Sequence, residues 1–565
     1  MPRTPEVLLS RLQEAGRQRP GAREALRRIT AVALLRLDDA PRVIRLHEAL
    51  LFLRAYPHDA RVLAAAERAL ATFEKRTARL AASGDDLAAF DAPEVAGVAG
   101  TVIGTDFSFD LVRWLLRRHP RSVRIDWDAC DAGDRMRATW PEFLPLLEEE
   151  ALADANVPYR EWLAAAAGKA IQDPGWIVPR YEALPFSPPE RAERWDALGA
   201  PVSWALAGSK ASRTKMRRPG PARFFHDAPL LARRGVALDR VFAEPRLSIR
   251  RLSRAEGERV CDLAREATAA RYREFYTFTY ADPTSVIAAR PGRGVEIFLL
   301  GIAPERRLPL RAAYGGFIVK NGVPIGYIEG LAFLDRLEIG FNLYYTFRDG
   351  ESAWIYAQVL RAHRDALGVT SFSVDPYQLG AGNEEAVESG AFWFYRKLGF
   401  RPTHAAVSRL AEREEREIAA DSSHRSSART LRLLATHNVL YETPGSPHGD
   451  WDRFHIRRIG LAVNRRMRRE FGGDPQRIRA ASQRRVGRVL GIHPAALPRL
   501  AQNAFAELAL VLDLIPGLSG WSRAERDGVA DIVRAKAGRS ERGYLRLLQR
   551  HARLRRALIR MGSGD

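Results

Sequence analysis

Leu337-Glu338-Ile339-Gly340-Phe341-Asn342-Leu343-Tyr344-Tyr345 is the stretch on which the fold turns. Leu337, Ile339, Phe341, Leu343 and Tyr345 share one face of an extended chain, and Glu338, Gly340, Asn342 and Tyr344 share the other. Successive side chains of a strand point to opposite sides, so one face is built for a core. The other presents a carboxylate, an amide and a phenol.

Upstream, Gly315 to Lys320 and Val323 to Leu331 are two apolar runs joined by Asn321-Gly322. An Asn-Gly pair between such runs predicts a hairpin, because a type I′ turn needs positive φ at both central positions. Pro324 has no N–H for a ladder, which pushes the start of the second strand towards an edge. Further back, Leu247, Ile249 and Leu252 predict a short strand, Arg254 to Tyr276 an amphipathic helix and Val295 to Gly301 an extra strand. Downstream, Arg348-Asp349-Gly350-Glu351-Ser352 turns into a helix from about Ala353 to Leu367, closed by Gly368. Thr370 to Val374 reads as a buried strand followed by Asp375-Pro376-Tyr377-Gln378-Leu379-Gly380. A last helix starts at Asn383, a good N-cap, and reaches Leu398. Gly399 ends it, and Phe400-Arg401-Pro402 opens another strand.

In this order of elements, residues from about 246 to 410 resemble the GNAT N-acetyltransferase superfamily. The most specific part is Ala391-Phe392-Trp393-Phe394-Tyr395-Arg396-Lys397-Leu398-Gly399-Phe400, which is similar to the family's closing motif. The resemblance implies acetyl-coenzyme A in a V-shaped gap between the family's fourth and fifth strands. It puts the pyrophosphate on backbone N–H groups at the start of the helix after strand four, a position where helices generally favour anions. Arg348, Gly350, Ser352 and Ala353 are then the cofactor-binding candidates. Arg348 and Ala353 match the family's phosphate loop, whereas Glu351 takes its glycine's place and Gly350 lies one position early. Asp349 and Glu351 bring negative charge to that loop. Glu388 stands where the family carries an asparagine.

Acetyl transfer to an amine needs a base for the amine and an acid for the leaving thiolate. Tyr395 fits the family's usual acid; the competing reading is a core tyrosine among Phe392, Trp393 and Phe394. Glu338 is the candidate base, against a solvated strand carboxylate, and Glu329 on the preceding strand is a further candidate.

A chain of 565 residues exceeds one hydrophobic core. Four regions are expected: a helical region 1–83; a mixed α/β or helical region 95–235, with a Pro-rich and basic linker near 185–221; the GNAT-like domain 240–410; and a basic helical region 411–565. The expected fold class is an α/β centre, a mixed sheet with helices on both faces, flanked by mainly α-helical N- and C-terminal regions. Two cysteines, Cys130 and Cys261, exclude a disulfide framework and fit a reducing, bacterial-type cytoplasm. No apolar run is long enough to span a membrane, and no signal peptide is apparent. Asp126, Asp128, Asp131 and Asp134 crowd together without the spacing of a metal loop, and His47 and His226-Asp227 lack ligand-spaced companions, so no metal is expected.

The net charge is +21, and of the 89 basic residues only seven are lysine. A GC-rich genome explains the arginines in general but not their placement: residues 453–565 hold 25 basic against nine acidic side chains. Asn464-Arg465-Arg466-Met467-Arg468-Arg469 and Arg484-Arg485-Val486-Gly487-Arg488 could grip phosphates of a nucleic acid or other polyanion, or form a solvated face. Arg484 to Leu497 is similar to a helix-turn-helix corner. Two functions follow: acetyl transfer from acetyl-coenzyme A to an unidentified amine, or a non-catalytic GNAT-like module whose tail binds nucleic acid or a protein.

Overall fold

The computed structural model of the chain describes residues 4–18, 21–84, 87–127, 129, 139–147, 149, 159–168, 173–220 and 223–564. Cys130, Asp128, Asp131 and Asp134 lie outside the described residues. Contacts divide the chain into two compact units, each gathered from segments distant in sequence. The first holds residues 1–229, 262–279 and 321–324; the second holds 230–261, 280–320 and 325–565.

The first unit opens with five helices between Pro5 and Ala82. Ile29, Val32, Leu46, Leu50 and Leu53 recur at helical spacing, and all are buried. Asp39 and Asp59 cap two of these helices by accepting from the amides of Arg42 and Val62. Three antiparallel strands follow: β1 (Val102–Thr105), β2 (Val123–Ile125) and β3 (Val202–Ala205), in the order β1-β3-β2. The stretch expected as a linker therefore supplies the central strand of this small sheet. Its prolines mislead, since Pro188 opens a helix, Pro188–Asp196, closed off by a Ser187–Glu190 capping box.

The second unit is built on a nine-stranded mixed sheet. Its strands are β4 (Ile249–Arg251), β5 (Ala281–Gly292), β6 (Val295–Ile302), β7 (Ala312–Lys320), β8 (Val323–Phe333), β9 (Arg336–Leu343), β10 (Ser371–Val374), β11 (Arg401–Pro402) and β12 (Val439–Glu442). Their order is β11-β12-β10-β9-β8-β7-β6-β5-β4. Asn321 and Gly322 adopt φ of 49° and 83° in the β7–β8 turn, as that turn type requires. Pro324 sits at the turn end of β8, which is an interior strand, because a missing donor is tolerated at a strand's first residues.

Three other elements differ from expectation. β5 fills a stretch whose residues predict an irregular, partly extended chain, their pattern broken by Pro283 and Pro291. The helix expected from Asn383 to Leu398 is two short ones, Glu384–Glu388 and Ala391–Arg396, separated at Gly390 in left-handed backbone with φ 63°. The region expected to be wholly helical supplies β12, inserted between β10 and β11. The six helices after it, from Ile456 to Ser563, belong to the same compact unit. Leu508, Val511, Val529, Val533 and Leu548 are buried among them. Among the described residues no helix is long and apolar enough to cross a membrane.

Candidate functional site

β9 and β10 run parallel, but their pairing ends with Ser373 opposite Glu338. Beyond it β9 continues to Leu343, while the other chain turns at Asp375 into a short helix, Pro376–Leu379. The two strands therefore part, and a cavity of about 340 Å³ occupies the opening. Phe341, Asn342 and Leu343 line one side, and Glu385, Phe394 and Tyr395 line another. Arg348 and Ser352 reach it from the start of the Ser352–Leu367 helix. No side chain caps that helix start, so its first amides keep their donor capacity.

Of the two carboxylates in the loop before this helix, Glu351 is buried and Asp349 is exposed. Glu351 has no exposed side-chain surface; it is bonded to Arg293 and, at 3.2 Å, to Lys320, and it accepts from the Leu231 amide at 3.2 Å. Burial alone would raise this carboxyl, but the Arg293 bond and the Lys320 charge outweigh it and hold the group below its ordinary value. Glu351 thus brings no charge to the cavity; it ties the helix start to the β5–β6 turn and the end of β7. Arg348 donates to Leu343 O at 3.2 Å and pairs with Glu385 across the cavity mouth. That pair is substantially exposed, so opening it costs little. Gly350 donates to Phe347 O with ordinary backbone, and Ala353 is buried in the helix's first turn.

Tyr395 is brought to the cavity wall at the rim of an aromatic cluster, 5.5 Å from Tyr356 and 5.7 Å from Phe400 by ring centroids. It is thus at once a core aromatic and a cavity residue. Burial raises its phenol above the ordinary value, so it is protonated at neutral pH.

Glu338 is not brought to this cavity. It pairs with Arg311 at 3.5 Å and with Arg336 at 3.8 Å and opens on a second cavity, of about 510 Å³. The structure thus sets Glu338, the first candidate base, apart from Tyr395, in a different cavity. Glu329 is opposite Gly340 in the β8–β9 register and has no ion-pair or hydrogen-bond partner among the described residues. It keeps contact with solvent, yet the protein crowded around it raises its carboxyl above the ordinary value. Tyr327 accepts from Asn342 on the same face at 3.0 Å.

Gln378 escaped the sequence reading. It lines the first cavity and lies over Gly340, where an added Cβ would meet its amide at 3.4 Å. Only the turn after β10 brings it there, and nothing local marks it. His47 lies in the first unit, fully buried between Glu48 at 3.0 Å and Thr214 at 2.9 Å, a structural position. Among the described residues no group of three or more potential metal ligands occurs.

Compared with known proteins, the chain matches no family profile, no curated protein and no solved structure.

Proposed function

We propose that the second unit transfers an acetyl group from acetyl-coenzyme A to an amine, the activity its resemblance to GNAT enzymes implies. The observation that carries this reading is the parting of β9 from β10 beside an uncapped helix start, with Tyr395 in the same cavity. The residues present suit the cofactor: the helix-start amides and Arg348 would hold its pyrophosphate, and the inward turn of Glu351 removes a repulsive charge. When bound, it supplies an activated acyl thioester. Glu329, with its raised pKa, is the better base, taking the proton the amine must lose as the C–N bond forms. Tyr395 holds a proton at its phenol oxygen, ready for the sulfur as the C–S bond breaks. Calorimetry with acetyl-coenzyme A tests the reading directly, together with thiol release on adding simple amines. The absence of both heat and thermal shift at millimolar cofactor would overturn it.

A second reading has its own support. In the Ile456–Phe471 helix Ile459 is the one buried residue. Arg466 is committed to Asp513 and Glu470, and Arg469 to Glu470. Arg465 and Arg468 are exposed and have no acidic partner among the described residues. Such a face suits weak, sequence-independent binding of a polyanion. Binding of DNA by the full chain should fall steeply between roughly 50 and 200 mM salt, and Arg465→Gln with Arg468→Gln should flatten that slope. An unchanged slope would leave these arginines as solvated surface.

A further inference from the structure

The second cavity belongs to the same sheet face as Glu329 and is lined by arginines and histidines from four separate segments. Arg311 precedes β7, Arg336 opens β9, His437 precedes β12, and His455 and Arg457 stand at the start of the Ile456–Phe471 helix. Glu338 and Asp375 are its acidic members. Arg336 is nine-tenths buried and held in place, donating to Ser373 Oγ at 2.7 Å and to Phe454 O at 3.4 Å. Arg457 is exposed and has no acidic partner among the described residues. Burying a guanidinium is costly unless its charge is used, and here a single carboxylate, Glu338, is shared by two of the three arginines. The histidines register the same excess. Partial burial, then the charges of Arg458, Arg336, Arg457 and His437, lower the His455 pKa; burial and His404 lower that of His437.

We infer that this cavity binds an oxyanion, a carboxylate or a phosphate, carried by the amine acceptor itself. The inference rests on the acetyl-transfer reading for the role of the amine, but the anion site stands on its own geometry. Arg311 and Arg457 make the contacts, and Arg336 supplies fixed charge from below. The volume, about 510 Å³, is that of a small-molecule site. The strand also sets the reach of the acceptor. Glu338 is at the cavity, and Gly340, opposite Glu329, is two residues further along β9, so the strand positions facing the anion site and Glu329 are about 7 Å apart. Gln378, lying over Gly340, stands between the two cavities. The acceptor class is therefore an amine with an acidic group several bonds away, not an α-amino acid recognised at its own backbone.

Titration of the full chain with inorganic phosphate and, separately, with glutarate tests the site without any cofactor. Histidine-selective isotope labelling follows the imidazoles, with His455→Asn giving the assignment. Either anion should raise the His455 pKa, since opposite charge favours the protonated ring. Whichever anion binds tighter identifies the source as phosphate or carboxylate. Arg457→Gln, at an exposed residue, should weaken that anion about fivefold or more, whereas Arg523→Gln, exposed and outside the cavity lining, should change nothing. A second arm compares 6-aminohexanoate with hexylamine as acceptors; the acid should be preferred about tenfold in kcat/KM, and Arg457→Gln should erase the preference. Anion binding without transfer to any amine keeps the site and sinks the acetyl-transfer reading. Transfer to hexylamine as fast as to the acid, with no anion response at His455, overturns this inference and leaves that reading intact.

Discussion

Along β9, Asn342 opens on one cavity and Glu338, four residues earlier on the same face, opens on another. The first is walled by aromatic rings, a phenol and amide side chains, and its single arginine is already paired with Glu385. The second is walled by three arginines and two histidines against two carboxylates. One strand therefore serves a neutral chamber and a cationic one, with Gly340 and Gln378 between them. The difference teaches where proton chemistry is possible. In the neutral chamber burial raises the Tyr395 phenol and keeps its proton on, while at Glu329 the surrounding protein raises the carboxyl above its ordinary value. In the cationic chamber Glu338 is paired with Arg311 and Arg336, so its place there is in the charge balance of the wall.

The contrast breaks most visibly at Tyr395. Tyr395→Phe removes one hydroxyl from the neutral chamber, keeps the aromatic packing, and should slow acetyl transfer by about ten- to a thousandfold. A wild-type rate would return Tyr395 to the core alone. Next is Glu329→Gln, expected to cost about tenfold to a hundredfold and to abolish one limb of the pH profile. The sign follows from the raised pKa: the wild-type rate should climb with pH through a value above the ordinary carboxylate range, as the group loses its proton. If the limb survives in Glu329→Gln, another group is the base. Arg348→Glu should weaken acetyl-coenzyme A about tenfold, read by calorimetry, because it puts a carboxylate beside the helix start and beside Glu385. Smallest of the four, Glu338→Gln should change the maximal rate by less than about threefold, while tightening anions in the cationic chamber by releasing Arg311. A collapse of the rate there would restore Glu338 as the base.

Much of this sheet could be read from local pattern. The alternation from Leu337 to Leu343, the Asn321-Gly322 turn and the helix closed by Gly368, with φ 75°, all follow from short-range rules, and all are present. What escaped was decided at long range. Glu351 was expected to charge the phosphate loop, but Lys320 and Arg293 draw it into the interior. Glu338 was set aside by Arg311, which lies before β7 in a stretch with no periodicity of its own. β12 has only four residues, all buried, and nothing in them separates a strand from a turn of buried helix. The closing helix was broken by Gly390, whose left-handed backbone looks in sequence like any tolerated glycine. The polar face of β9 was legible; which of its residues share a cavity was not.

The placement of β12 also sets a timetable for synthesis. β11 leaves the ribosome before β12 yet lies outside it, so the free edge of β10 must wait for residues 439–442. At the usual pace of elongation that interval, some 65 residues after Val374, is on the order of 3–13 s. Throughout it an apolar strand edge has no partner of its own chain and is open to pairing with another nascent copy. Slower codons between 375 and 438 would lengthen the hazard and raise the aggregated fraction, while leaving the amino-acid sequence, and the finished fold, unchanged.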